Sequence, residues 1–364
     1  MNPTPDQLRQ QCHTRLPGNR PTTPAADFAA MAAWCEANGA EYDLYGEGKL
    51  VQDFERKIAD LLGFEAALFV ASGTLAQSVA LRLASKERGR PLVALHATAH
   101  VLKHERSNHQ LLDHFKTITI GNPHRPWTLA DLKATADPFG AALYELPMRE
   151  IGGQAPSWDE LETIKQHCRE QGIHLHLDGA RLWEVAAGYG RSHAEIAAGF
   201  DSVYVSFYKG IGGLGGAMLL GKRAFIDEAS GWMKRMGGNL FRRAPMVVAA
   251  AMQFDQRLAA MPALYQRTLW LYDVLRDFPA LMPNPARPQA NMLHVHMPVS
   301  AARATEIRNQ IAAEHGIWLF GAATDATLPN SSYVEWYVGD SLLETPDEML
   351  RKALGLWSAA LQAR

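Results

Sequence analysis

Short apolar runs alternate with longer amphipathic stretches along most of this chain, and the runs have the length of strands. The pattern predicts strands at Ala67–Val70, Leu92–Leu95, Thr117–Ile120, Ala141–Leu146, Ile173–Leu177, Ser202–Ser206 and Ala217–Leu220. Several are apolar almost throughout, as a strand is when helices cover both faces of its sheet. The clearest helix is Trp158–Gln171. Ser157 caps it, Glu160 completes a capping box, Gly172 stops it, and Leu161, Ile164 and Cys168 form its inward stripe. A helix of good formers, Leu75–Ala84, follows the first strand. This order predicts an α/β chain built on a mostly parallel, seven-stranded sheet.

After about residue 250 the texture changes. A helix-like stretch from Ala249 to Phe278 runs into the proline-punctuated segment Pro279–Pro285. Strand-like Met292–Met297 and Tyr333–Val338 follow. The last helix opens at Thr345-Pro346-Asp347-Glu348, a capping box with proline at its first position, and carries Leu350, Leu354, Trp357 and Leu361 on one face. The expected division is an N-terminal segment (residues 1–44), a large domain (45–249) and a smaller C-terminal α/β domain (250–364).

Composition narrows the function classes. With 364 residues, 47% hydrophobic and 20% charged, the chain is an ordinary globular protein long enough for two domains. A net charge of −2 without a basic run argues against nucleic acid, and no 18-residue apolar stretch is present to span a membrane. The start, Met1 to Asp6, lacks the apolar core of a signal peptide. Cys12, Cys35 and Cys168 are widely spaced and odd in number, which predicts reduced thiols in a cytoplasmic protein. His96, His100 and His104 recur every four residues and would share a helix face, but no third ligand type accompanies them, so no metal site is predicted. The pairs His174/His176 and His294/His296 alternate on strands and are expected to be structural.

The chemistry concentrates at Lys209. It closes the apolar run Val203–Tyr208 and opens the glycine-rich stretch Gly210–Gly216. A strand-end lysine among glycines suits an amine that forms a Schiff base with a carbonyl ligand. Asp178, in His176-Leu177-Asp178-Gly179-Ala180-Arg181, precedes it at another predicted strand end. A carboxylate that keeps a pyridine nitrogen protonated, and an amine that holds an aldehyde, are what pyridoxal phosphate requires. Ser72-Gly73-Thr74 opens the helix after the first strand, and a helix start there can be a phosphate cup or an ordinary N-cap. Gly210-x-Gly212-x-x-Gly215 formally matches a dinucleotide fingerprint, but a strand follows it where that motif needs a helix.

At these residues the chain resembles the threonine aldolase / β-eliminating lyase family of pyridoxal-phosphate enzymes, which have the aspartate-aminotransferase-like fold (fold type I). The likeness runs through Tyr45-Gly46-Glu47, Ser72-Gly73-Thr74, Ala99-His100, Glu145 with Gly152-Gly153, Asp178-Gly179-Ala180-Arg181, Lys209-Gly210-Ile211-Gly212 and Asn291-Met292-Leu293. The resemblance implies pyridoxal 5'-phosphate held by Lys209, with Asp178 at the ring nitrogen and His100 stacked over the ring as a possible base. It places Ser72, Gly73, Thr74, Arg181 and Ser206 among the cofactor contacts. Arg181, Lys234 and Arg242 fall where the family has basic residues near the substrate.

Three departures mark the substrate side. The family's Glu-Asn-Thr-His is here Glu145-Leu146-Pro147-Met148, so a histidine is lost; the N-terminal Arg-Ser-Asp-Thr is replaced by Arg15–Arg20; and Glu335 stands where an arginine grips the α-carboxylate. Arg20 and Arg149 are the expected replacements for that arginine, or else Glu335 selects a substrate with a second amine. The leading expectation is retro-aldol cleavage of a β-hydroxy-α-amino acid to glycine and an aldehyde. The alternatives are β-elimination or transamination, or cofactor binding without catalysis. The resemblance further implies a homodimer or homotetramer.

Overall fold

The computed structural model describes residues 4–363; residues 1–3, part of the segment read above for a signal peptide, lie outside it, as does residue 364. The chain condenses into two compact units. One comprises Thr22–Glu150 and Ala155–Ala259, and the other takes the residues up to Pro21, Ile151–Gln154 and those from Ala260 onward.

The larger unit is built on seven strands: β1 (Ala66–Val70), β2 (Leu92–His96), β3 (Lys116–Ile120), β4 (Ala141–Glu145), β5 (His174–Gly179), β6 (Ser202–Ser206) and β7 (Ala217–Gly221). They lie side by side in the order β1-β7-β6-β5-β4-β2-β3. All are parallel except β7, which runs antiparallel to both β1 and β6. Every residue of β4, β5, β6 and β7 is buried, as strands covered on both faces are. The seven-stranded expectation holds, with ends shifted by a residue or two. The largest shift is at the end of β5, which continues two residues past Leu177 to Gly179.

Helix Trp158–Gln171 forms where expected, capped by Ser157 and ended by Gly172 in the left-handed conformation, with Leu161, Ile164 and Cys168 buried. Its capping box does not close. The Glu160 carboxylate instead accepts from the Leu129 backbone N–H at 2.6 Å. The helix after β1 starts at Gly73 rather than Leu75, with Ser72 as N-cap. The expected helix from Ala249 to Phe278 is Ala244–Leu275.

In the smaller unit four antiparallel strands run in the order Ala323–Asp325, Ser332–Tyr337, Met292–Met297, Met282–Asn284. Leu293, Val295, Val334 and Trp336 pack there with Leu350, Leu354 and Trp357 of the terminal helix, Asp347–Gln362. The expected capping box of that helix is absent: Pro346 is the N-cap, and the Thr345 hydroxyl donates to the Ser341 carbonyl at 2.6 Å. His294 and His296 stack on Tyr333, with centroids 4.5 and 5.3 Å away. No helix among the described residues is long and apolar enough to cross a membrane.

Candidate functional site

Parallel strands deliver their C-terminal ends to one edge of a sheet, where open α/β folds place their ligands. Here that edge carries a cleft of about 470 Å³, open in part to solvent. The turn after β1 supplies Gly73 and Thr74, β4 ends in Glu145, β5 supplies Asp178 with Ala180 and Arg181 beyond it, and the segment after β6 supplies Tyr208 and Lys209. His100, the first residue of the short helix His100–Lys103 after β2, completes the ring. Asp178, Lys209, His100 and the Gly73 helix start therefore share one cavity within one compact unit.

Asp178 is 2% exposed. It accepts from the Gln77 side-chain amide and from the Ala180 N–H, the latter at 3.1 Å. Gln77 is fixed from behind by His176 (2.9 Å), which shares the Ser202 hydroxyl with His174 (2.7 Å each). Burial pushes both imidazoles down to about 3, so they are neutral and form a directional relay that ends on the Asp178 carboxylate. That is the structural role of His174 and His176. Burial also pushes Asp178 itself upward, opposed by the charges of Lys209 and His100. Glu145, its neighbour across the β4–β5 ladder, is likewise raised by burial and then by the Asp178 charge. Two buried carboxyls side by side make the floor of the cleft strongly cation-seeking.

Lys209 sits three residues beyond the end of β6, not on the strand itself. Burial, then the charge of Arg181, lowers its ammonium pKa, which favours the neutral, nucleophilic amine. Gly73 faces Tyr204: a Cβ there would lie 2.1 Å from the Tyr204 hydroxyl, which in turn bonds Tyr208 (3.1 Å). Glycine at the start of this 13-residue helix therefore leaves room for Tyr204, and the free amides of a helix start are a natural anion site. A pyridoxal phosphate fits this donor set. Its ring nitrogen would give Asp178 a cation, Lys209 an aldehyde to hold, and the Gly73–Thr74 amides a phosphate.

The other expected residues divide. Ser72 is spent as the N-cap of that helix, accepting from Leu75 N–H. Ser206 is fully buried and donates to the Ala180 carbonyl, so it supports the Asp178 turn and is not among the cavity residues. Arg149 and Arg181 line the cavity. Lys234 is exposed, and Arg242 donates to the Asp43 carbonyl with its guanidinium over Phe241; neither lines the cavity. Arg20 and Glu335 belong to the smaller unit, where Arg20 pairs with Glu344 and Glu335 faces His294 across the strand ladder. His96 ends β2 and bonds Thr98 and the Asn122 carbonyl, so it shares no helix face with His100 and His104. Among the described residues no cluster of ligand-type side chains could hold a metal. Gln77, Glu105, Tyr204 and Tyr208 line the cavity without having been singled out in the sequence. The only sequence signal was for Gln77, one turn into the helix opened by Ser72-Gly73-Thr74.

Comparison with known proteins points the same way. Residues 22–298 match the family model described as Beta-eliminating lyase. The chain is similar to a solved structure of a proposed L-allo-threonine aldolase from Listeria monocytogenes, with 36% identity, TM-score 0.91, and 97% of this chain and 98% of that one covered. A proposed aromatic amino acid β-eliminating lyase/threonine aldolase from Exiguobacterium matches at 37% identity and TM-score 0.91, over 97% and 98% of the two chains. Low-specificity L-threonine aldolase 1 of Arabidopsis thaliana is 25% identical, over 80% of this chain and 84% of its own.

One buried carboxyl of this region lies outside the cavity lining. Glu184 is 1% exposed, and neither of its oxygens meets a donor from another of the described residues. Gly210 rests against it, since a Cβ there would lie 2.3 Å from the Glu184 carboxylate. Burial, opposed first by the Arg181 charge, raises it from 4.5 to about 7. The folded chain thus keeps a proton that the unfolded chain has lost, and stability falls as pH rises from about 4.5 towards 7. Glu184→Gln should therefore raise the melting temperature of the cofactor-free protein at pH 8, by up to about 3 kcal/mol in stability, with the margin shrinking towards pH 5. Thermal melts across that range check it; a margin independent of pH would contradict the assignment.

Proposed function

We propose, from the premise that this chain belongs to the β-eliminating lyase family, that it is a pyridoxal 5'-phosphate-dependent lyase cleaving the Cα–Cβ bond of a β-hydroxy-α-amino acid to glycine and an aldehyde. The observation that carries the reading is the single cavity shared by Asp178, Lys209, His100 and the Gly73–Thr74 helix start. When bound, the cofactor supplies an electron sink for the pair released as the bond breaks.

The residues divide the remaining work. Asp178, fixed by Gln77, holds the ring nitrogen in its protonated form. The Lys209 amine would hold the cofactor aldehyde, and burial, then the Arg181 charge, lowers its pKa and so favours the neutral amine that this role needs. Gly73 and Thr74 hold the phosphate. His100 covers the ring and takes the β-hydroxyl proton. Met148, 1% exposed, has no basic atom to do so. Arg149 and Arg181 are the cavity-lining guanidiniums, and Arg149 replaces the absent family arginine at the α-carboxylate. Arg20, 71% exposed and paired with Glu344, supports that role less well.

We assign the protein to a homo-oligomer. Helix Pro24–Asn38 carries Phe28, Met31, Trp34 and seven alanines, yet none of its residues is buried, and Phe28 is 60% exposed. So apolar a helix is what a second copy of the chain would cover. Three free thiols support a reducing, cytoplasmic setting.

Purified protein given threonine, allo-threonine or phenylserine should release glycine and the matching aldehyde. Lys209→Ala should lose the visible absorbance of the bound cofactor together with activity. Ammonia and a keto acid would favour β-elimination instead, and cofactor binding without turnover on any of these substrates would favour a non-catalytic role. Arg149→Ala should raise KM roughly 10- to 100-fold, the worth of a hydrogen bond to a charged group. An unchanged KM would remove Arg149 from the carboxylate site.

A further inference from the structure

We propose that Glu105 is the positioning residue of the site: it holds His100 as the Nδ1–H tautomer and so leaves Nε2 as the atom that takes the substrate's β-hydroxyl proton. The inference deepens the lyase reading and rests on it. His100 Nδ1 and Glu105 Oε1 are 3.0 Å apart, and the Glu105 side chain is 1% exposed. Its second oxygen accepts from the Asn108 amide at 3.1 Å, and that amide also reaches the Ser78 hydroxyl at 3.0 Å. Ser78 lies on the helix that contributes Gly73, Thr74 and Gln77 to the cavity, so the clamp is tied to the phosphate end of the site. Nε2 has no hydrogen-bond partner among the described residues, and the side chain lines the cavity.

The backbone is shaped to this end. Arg106 and Ser107 both take positive φ (54° and 57°), an uncommon pair for residues with side chains. This tight turn carries the chain from Glu105 to Asn108, so that the Asn108 amide donates to the carboxylate that meets His100. Carboxylates behind a working imidazole fix its orientation and raise its basicity. Glu105 is the largest cause of the raised His100 pKa; Asp178 adds to it, whereas burial and Lys209 oppose it. The other charged groups of this cavity are Glu145, Arg149 and Arg181, and the His104 ring packs on His100 with centroids 5.0 Å apart.

The test compares holoenzyme carrying Glu105→Gln or Glu105→Asp with the unaltered protein. The readouts are the NMR titration of the His100 ring, assigned with His100→Asn, and the pH profile of kcat/KM. A base works in its neutral form, so kcat/KM rises with pH through the His100 pKa. Removing the Glu105 charge lowers that pKa. Glu105→Gln should therefore move both the ring titration and the acid limb to lower pH. It should also cut kcat/KM at neutral pH by roughly 10²-fold, the lower range for positioned acid–base catalysis. Glu105→Asp, which keeps the charge, should recover part of the loss. Asn108→Ala, which keeps the Glu105 charge but removes the donor that holds it in place, should also move the His100 titration, and it serves if Glu105→Gln does not fold. An unmoved His100 titration in variants that still cleave β-hydroxy amino acids would overturn the inference and leave the lyase reading intact. A moved titration in a protein that cleaves none of them would uphold the Glu105–His100 clamp and overturn the lyase reading.

Discussion

A carboxylate withdrawn from water is costly until donors or a cation meet it, and most of the cleft is arranged around that demand at Asp178. The Ala180 N–H and the Gln77 amide satisfy part of it, and two neutral histidines behind Gln77 keep that amide from turning its oxygen inward. The balance is supplied from the cavity side, by Lys209, by His100 and by whatever cation occupies the space between them. A pyridinium ring answers this need in shape and charge at once. The same low-dielectric surroundings that raise Asp178 also lower Lys209, so one burial produces both an acid that seeks a cation and an amine that gives up its proton.

Topology brings these groups together. The C-terminal ends of β4 and β5, the segments after β2 and β6, and the helix start after β1 converge on one edge of the sheet. The antiparallel β7 lies between β1 and β6 and so separates the Gly73 helix start from the lysine turn. Bare backbone at Gly73 and Gly210 lets Tyr204 and Glu184 come close to it, and a side chain at either position would displace them.

Much of this was legible in the residue pattern. Seven strands, the Trp158–Gln171 helix, and the pairing of Asp178 with Lys209 follow from apolar runs that end in chemistry-bearing residues. The glycine stretch after Lys209 was also correctly separated from a dinucleotide turn, because β7 follows it. What escaped depends on partners distant in the chain or on local turns. Gln77 reads as a helix surface residue until the fold brings it to Asp178, 101 positions away. Glu105 follows His100 by five positions, a spacing with no helical meaning, and only the Arg106–Ser107 turn gives it one. The two expected capping boxes do not form because Glu160 and Thr345 find other partners, and the Ser206 hydroxyl donates to the Ala180 carbonyl, a partner the sequence does not reveal. Lys234 and Arg242, whose roles rest on resemblance alone, do not line this cavity.

The central claim is that Lys209 is covalently bonded to a pyridoxal phosphate whose nitrogen rests on Asp178. The most direct measurement is borohydride reduction of the protein loaded with pyridoxal 5'-phosphate, followed by mass spectrometry of its peptides. The account predicts a single cofactor adduct on Lys209, greatly weakened in Asp178→Asn at the same cofactor concentration. An adduct spread over surface lysines, with Lys209 unmodified, would contradict it.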